Sequence, residues 1–209
     1  MKNARDFWNK SAPRYARSPI KDEKTYQQKL AITREYLRPD SDVLEFGCGT
    51  GGTAIAHAPY VRSIVATDIS DRMLEIARGK ADQAGVGNIA FRQGTLDTLD
   101  LPAGHFDAVL GLNVLHLIED VDAAVARVSD LLKPGGVFVS STSLVGEISF
   151  LWRWLIAAMQ ALGLAPHVSR LDRQGLLSIL AGAGFAVDHT WQPTRESIFI
   201  VARKPGPPA

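Results

Sequence analysis

The sequence has a single cysteine, Cys48, in 209 residues. An intramolecular disulfide is thereby excluded, and a cysteine-based metal site is not expected. One lone thiol suits a reducing compartment, so the cytoplasm is the expected location. An excess of either charge is also missing: 23 Lys and Arg stand against 22 Asp and Glu, a formal charge of +1. With no conspicuous Lys/Arg cluster, the chain lacks the electrostatic footprint of a nucleic-acid binder, and no nucleic-acid partner is expected. No His/carboxylate spacing suggests a metal. Long uncharged apolar runs are absent too. The most apolar region, Leu144 to Leu164, contains Glu147, Arg153 and Gln160, whereas a spanning helix needs roughly 20 residues nearly free of charge. Stable membrane insertion is therefore not expected. The opening MKNARDFWNKSAPRYARS has no apolar core and does not read as a secretory signal. We find no internal repeat and no low-complexity tract.

What is present is ordinary globular composition, 46% hydrophobic and 22% charged. The length favours one domain with a small appendage. Two helical stretches come first, Asp6 to Arg17 and Asp22 to Leu37, so residues 1–38 read as a helical cap. From residue 39 to 204, short apolar strands alternate with helices. The strands are expected at Asp42–Phe46, Ser63–Thr67, Ile89–Arg92, Phe106–Leu112, Val137–Thr142, Phe185–Trp191 and Ser197–Arg203. Helices are expected at Thr50–Ala58, Asp71–Ala84, Asp120–Leu132, Glu147–Leu162 and Arg173–Ala183, the fourth lying in an insertion at about residues 145–170. Alternation of this kind means βαβ units on a mostly parallel sheet, an α/β fold with helices on both faces. Only a short Gln192-Pro193-Thr194 turn separates the last two strands. That is too little for a helical crossover, so the seventh strand should be antiparallel to the rest. Residues 205–209 have nothing to pack and should fray.

The stretch Val43-Leu44-Glu45-Phe46-Gly47-Cys48-Gly49-Thr50-Gly51-Gly52 joins the first strand to its helix. Gly47, Gly49 and Gly52 fit G-x-G-x-x-G, the dinucleotide fingerprint; Glu45 with Gly47, Gly49 and Gly51 fits E-x-G-x-G-x-G, a different nucleotide loop. In both readings glycines permit positive φ and close backbone approach to a ligand, at a helix start with free amide donors. Asp68 ends the second strand, twenty-one positions after Gly47. In an open α/β sheet that sets a carboxylate beside the loop, within reach of both ribose hydroxyls. Ser70 is better placed than Asp68 to cap the next helix.

Further signals are Asp68-Ile69-Ser70 with Met73-Leu74, Phe106-Asp107 before the fourth strand, and Leu131-Leu132-Lys133-Pro134-Gly135-Gly136 before the fifth. Together with the glycine loop, this constellation resembles the class I S-adenosylmethionine-dependent methyltransferases, from about Asp42 to Arg203. The resemblance implies a seven-stranded Rossmann-like sheet closed by an antiparallel hairpin, and S-adenosyl-L-methionine as cofactor with S-adenosyl-L-homocysteine as product. It also weighs against a nicotinamide oxidoreductase. Glu45 stands where dehydrogenase strands usually carry an apolar residue, nearly forty residues precede the first strand, and the hairpin belongs to the methyltransferase topology. The intact loop argues against a non-catalytic partner protein of the same fold. On this reading Gly52 is a first-turn residue chosen for close packing.

By position, the resemblance implies that the backbone at Gly47 and Gly49 lies against the methionine part of the cofactor, that Cys48 and Gly51 belong to the cofactor-binding loop, and that Glu45 orders the loop and the cationic end of the ligand. Asp68 would bind the ribose diol, Ile69 and Met73 the adenine faces, and Asn113 the methionine end. Many relatives have Gly-Asp after the third strand where this chain has Gly94-Thr95. Thr95 can hydrogen-bond there and Leu96 can offer its amide, with Asp97 a weaker substitute.

Methyl transfer is an in-line displacement that depends mainly on orientation and needs a base only when the nucleophile carries a proton of high pKa. His116, just past the fourth strand, is the candidate base; its bland alternative is a local hydrogen bond at a helix start. Tyr15, in the aromatic opening with Phe7 and Trp8, is the candidate residue for closing the site, with Arg14 or Arg17 facing a carboxylate; these aromatics could equally seal the sheet. Phe150 to Met159 is apolar almost all round, as befits a lid or wall of a pocket for an apolar or aromatic small molecule. A core helix, a homodimer surface and a lipid contact are the competing roles for that segment.

Overall fold

The computed structural model describes residues 2–147 and 167–206. Two helices, α1 (Lys2–Arg17) and α2 (Glu23–Arg34), precede β1 (Asp42–Phe46). There follow α3 (Gly52–His57), β2 (Ser63–Asp68), α4 (Asp71–Gln83), β3 (Ile89–Gln93), β4 (Phe106–Leu112), α5 (Val121–Leu131) and β5 (Leu132–Ser143). The chain ends with α6 (Arg173–Gly182), β6 (Ala186–Thr194) and β7 (Ser197–Arg203). The seven strands form one sheet in the order β3-β2-β1-β4-β5-β7-β6. The first five are parallel, and β7 is antiparallel to both neighbours, β5 and β6. The strand order reverses at β1 and β4, and ligands in open α/β sheets bind at the carboxyl ends of such a switch point.

Each face of the sheet carries its own core, because side chains alternate along a strand. Leu44, Phe46, Val109, Phe138 and Ile200 pack with Val125 and Val128 of α5 and Leu176 and Leu180 of α6. Val43, Leu110, Val139, Phe199 and Val201 pack with Ala54 of α3, Leu74 of α4 and Ile32 of α2. All five residues of β1 are buried, as expected for a central parallel strand covered on both sides. Helix starts follow the capping chemistry: the side chains of Asp22, Ser70, Asp120 and Asp172 accept backbone N–H bonds at the starts of α2, α4, α5 and α6.

The structure departs from sequence expectation at several elements. Helix α1 starts four residues before Asp6, and Pro13 lies inside it. The expected β5 start at Val137 is too late: pairing of Leu132 with Phe106 draws Lys133-Pro134-Gly135-Gly136 into the strand. Hydrogen bonds from Gly135 to Lys204 and from Lys204 back to Gly136 hold that stretch against the chain's end. The β6–β7 turn is not Gln192-Pro193-Thr194, since Thr194 already pairs with Ser197. The expected helix from Glu147 to Leu162 and the frayed tail fall wholly or mostly outside the described residues. Two motif pieces also find a structural role. Lys133 Nζ donates to Asp107 Oδ2 at 2.8 Å, and that oxygen also accepts from the Asp42 backbone at 2.9 Å. Asp107 and Lys133 therefore tie β1, β4 and β5 together at their amino ends, opposite the ligand edge.

Candidate active site

Beyond Phe46 the chain turns sharply through Gly47 (φ 65°) and Gly49 (φ 53°), a backbone region costly for residues with a Cβ. At Gly47 the need is doubled, because a Cβ there would lie 2.4 Å from Val114 Cγ2. At Gly49 the space is open among the described residues: a Cβ would meet only the Tyr15 ring, at 3.9 Å. The third glycine contradicts one expectation. A Cβ on Gly51 would stand 2.9 Å from Ala77 Cβ, whereas one on Gly52 would have its nearest neighbour, Tyr26 Oη, at 3.7 Å. Close packing onto α4 is thus the task of Gly51, and Gly52 has room for a side chain.

Asp68 is joined to this loop directly. Its Oδ2 accepts from the Gly49 N–H and its Oδ1 from the Ser70 N–H, both at 2.9 Å. Ser70, as expected, caps α4, and its hydroxyl donates to Asn9 Oδ1 at 2.6 Å. Asn9 Nδ2 in turn donates to Asp71 at 2.7 Å. These bonds dock α1 on the start of α4 and carry Tyr15, one helical stretch further on, over the glycine loop. Trp8 meets both Phe7 and Tyr15 edge-on, which stiffens that arrangement.

The electrostatics of the cradle are one-sided. Glu45 is buried in β1 and its Oε2 has no hydrogen-bond partner among the described residues. Burial, with the Asp68 charge adding to it, lifts the Glu45 carboxyl to about 8 against a backbone bond at Ala54. Burial also raises Asp68, opposed by its bonds with Ser70, Gly49 and Ile69. The Tyr15 phenol is pushed up by desolvation, then by Asp68 and Glu45. Tyr26 on α2 is raised by desolvation and by Glu45, with a Thr53 side-chain bond opposing. Two acids and two phenols share this volume, and no described Lys, Arg or His lies within ion-pair distance of either carboxylate. A ligand with a cationic end and a diol matches such a cradle: the cation answers the orphaned Glu45 oxygen, and the diol can donate to Asp68.

One pH prediction follows from Glu45 and His57. The folded chain holds the Glu45 proton up to about 8 instead of 4.5, so this contribution to stability is full below 4.5 and is lost as pH rises through 8. His57 is fully buried at the end of α3, and desolvation followed by Arg34 lowers it to about 4 from 6.5. Its contribution is full above 6.5 and is lost as pH falls through 4. Between 4.5 and 6.5 the two slopes oppose each other. Chemical denaturation of the ligand-free chain should give a plateau there, with decline on both sides at up to about 1.4 kcal/mol per pH unit. Glu45→Gln should flatten the alkaline arm and His57→Gln the acid arm. Stability that climbs steadily from 6.5 to 8 would contradict the Glu45 environment.

The other predicted positions are spread around this centre. Asn113 follows β4 in a left-handed conformation (φ 57°), and its N–H donates to Ser141 O at 2.7 Å. His116 sits in the short 3-10 turn Leu115–Leu117; desolvation lowers its pKa, and its Nδ1 has no partner among the described residues. Ile69 is half-buried while Met73 is buried, its N–H capped by Ser70. Leu96 belongs to the α5-side core, and Thr95 bonds locally with Thr98. Cys48 is buried. Arg14 and Arg17 are exposed. Phe150 to Met159 lies outside the described residues. Sequence reasoning missed Asn9, Tyr26, Lys29 and Ser141. The three-residue spacing of Tyr26 and Lys29 puts them on one face of α2, the only signal available.

Residues 43–136 match the family described as methyltransferase domain. This stretch carries the sequence of a methyltransferase domain. The domain's sequence relatives include an uncharacterized methyltransferase, YcgJ, from Bacillus subtilis, 35% identical over 123 residues, 57% of this chain and 49% of that protein. A ubiquinone biosynthesis O-methyltransferase from Dinoroseobacter shibae is 30% identical over 147 residues, 66% of this chain and 59% of that protein. The chain spans about half the length of the relatives it matches. Among solved structures, geranyl diphosphate C-methyltransferase from Streptomyces coelicolor, in complex with Mg2+, geranyl diphosphate and S-adenosyl-L-homocysteine, superposes with a TM-score of 0.73 at 15% identity, covering 87% of this chain and 79% of that one. At that identity the methyltransferase domain shares the fold, and the likeness extends no further. No helix among the described residues is long and apolar enough to cross a membrane.

Proposed function

We propose that the chain is an S-adenosyl-L-methionine-dependent methyltransferase acting on a small, apolar or aromatic organic acceptor. The observation that carries this reading is the acidic cradle, in which a buried Glu45 with an unpartnered oxygen adjoins Asp68 and the open Gly49 backbone. Glu45 answers the ammonium end of the cofactor's methionine part, with Gly47, Cys48, Gly49, Gly51 and the backbone carbonyl of Asn113 around it. Asp68 receives the ribose hydroxyls. Ile69, Met73, Thr95 and Leu96 form the adenine side. When bound, the cofactor supplies a sulfonium-activated methyl group. Tyr15, 54% exposed with its ring beside Gly49, closes over the cofactor once it is bound and then excludes water. His116, kept neutral by burial, accepts the acceptor's proton where the nucleophile carries one. The quinone-pathway role named for the Dinoroseobacter relative supports a ring-bearing acceptor. The apolar composition of Phe150 to Met159 supports an apolar acceptor.

The test is transfer of a labelled methyl group from the cofactor to a pool of small metabolites. Label is expected in an extractable organic product. Label that stays in the cofactor across pools rich in aromatic compounds would contradict the proposal. For an acceptor whose nucleophile carries a proton, His116→Ala should lower turnover by roughly a hundredfold or more while leaving cofactor affinity unchanged; unchanged turnover of such an acceptor would remove His116 from proton transfer.

A further inference from the structure

Lys29 has no part in the cofactor cradle, and its surroundings are unusual. It projects from α2 to the carboxyl edge of the sheet, where its Nζ donates to Ser141 Oγ at 2.8 Å. Ser141 is 1% exposed, and its hydroxyl donates onward to Asn113 Oδ1 at 3.4 Å. Among the described residues Lys29 forms no ion pair. Residues 148–166 and 207–209, outside the description, include no Asp or Glu. The nearest acid to act on it is Asp22, from a distance, and desolvation outweighs that influence. An ammonium has three N–H donors, and a single neutral hydroxyl is a poor return for taking its charge partly out of water.

We infer that Lys29 and Asn113 form an oxyanion seat for the methyl acceptor, which therefore carries a negatively charged oxygen as a carboxylate or an ionised phenol or enol. The inference rests on the methyltransferase reading for the identity of that ligand as acceptor. Asn113 is exposed, and its left-handed backbone holds it at the mouth of β4 beside Ser141. Its amide oxygen faces the Ser141 hydroxyl, and its NH2 group donates to none of the described residues. The Ser141 hydroxyl orients both residues: it accepts from Lys29 and donates to Asn113, and the remaining donors of each, which bond to no described residue, are available to the ligand. A charged hydrogen bond from Lys29 also restores the solvation the ammonium has lost, which couples acceptor binding to an anionic oxygen.

The experiment uses the full chain saturated with S-adenosylhomocysteine and three probes of one shape: nitrobenzene, 4-nitrophenolate and 4-nitrobenzoate, each anion at a pH where it is ionised. At least one anion should bind roughly ten- to a hundredfold tighter than nitrobenzene. Which anion shows the preference separates the phenolate class from the carboxylate class. Lys29→Met should abolish the preference without changing nitrobenzene affinity, and Lys29→Arg should retain most of it. Absence of any anion preference in the unaltered chain, or the same preference in Lys29→Met, would overturn the inference. S-adenosylhomocysteine binding is measured first on the same protein. Its failure removes the methyltransferase reading, whereas its success without an anion preference removes the Lys29 assignment alone.

Discussion

Asp68→Ala is expected to weaken S-adenosylhomocysteine binding by roughly ten- to a hundredfold. The reason is the loss of a charge-assisted acceptor for the ribose hydroxyls, a kind of bond worth about 1.5–3 kcal/mol. The substitution also strips the Gly49 and Ser70 amides of their shared acceptor, so part of the effect would come from a loosened loop. Asp68→Asn divides the two causes. Its amide keeps one acceptor oxygen and the side chain's volume but carries no charge, so the loop should remain better ordered while cofactor affinity still falls. Calorimetric affinity and thermal midpoint, measured on both variants, separate ribose binding from loop support. Unchanged affinity in Asp68→Ala would mean that the ribose lies elsewhere.

Gly47→Ala should destabilise the chain by roughly 2–5 kcal/mol. Two costs add here: a left-handed conformation with a Cβ, about 1–2 kcal/mol, and overpacking of a well-filled site, about 1–3 kcal/mol. The second cost comes from one neighbour, since all three of the nearest atoms to the added Cβ belong to Val114. Combining Gly47→Ala with Val114→Ala should therefore be less damaging than the sum of the two single changes. Denaturant midpoints of the four proteins in the cycle provide the check. Strict additivity would show that the Val114 contact does not govern this glycine. Gly49→Ala should behave differently. With no described atom but the Tyr15 ring within 4 Å of its Cβ, it meets mainly the conformational cost, and its larger effect should fall on cofactor affinity.

The contrast between Gly47, Gly51 and Gly52 marks how far the sequence was legible. The β1–α3 loop, Asp68 and the seven strands follow from local patterns: apolar runs, glycine at a strand end, an acid at the next strand end. Which of two adjacent glycines meets α4 depends on the side-chain direction at Ala77, and spacing within the loop carries no such information. The same applies to Lys29 and Ser141, which lie 112 positions apart. Nothing local in α2 announces that its lysine reaches β5; only the tertiary arrangement brings the two together. The early start of β5 is a tertiary effect as well. Pro134 and Gly135 read as a stop, but bonds to Lys204 and pairing of Leu132 with Phe106 keep the chain extended. Tyr15 lies between these cases. Its aromatic neighbours were visible in sequence, but its position over Gly49 depends on Asn9 bonding to Ser70 and Asp71.

The cofactor site is tested most directly by titrating the ligand-free chain with S-adenosylhomocysteine in a calorimeter, in buffers of different ionisation heat, below the pH at which Glu45 loses its proton. The expected result is one-to-one binding whose heat depends on the buffer, because the cationic end of the ligand drives the proton off Glu45. In Glu45→Gln the buffer dependence should vanish and the affinity should fall. No binding at millimolar S-adenosylhomocysteine, or saturable binding of NADH in its place, would contradict the assignment of the loop.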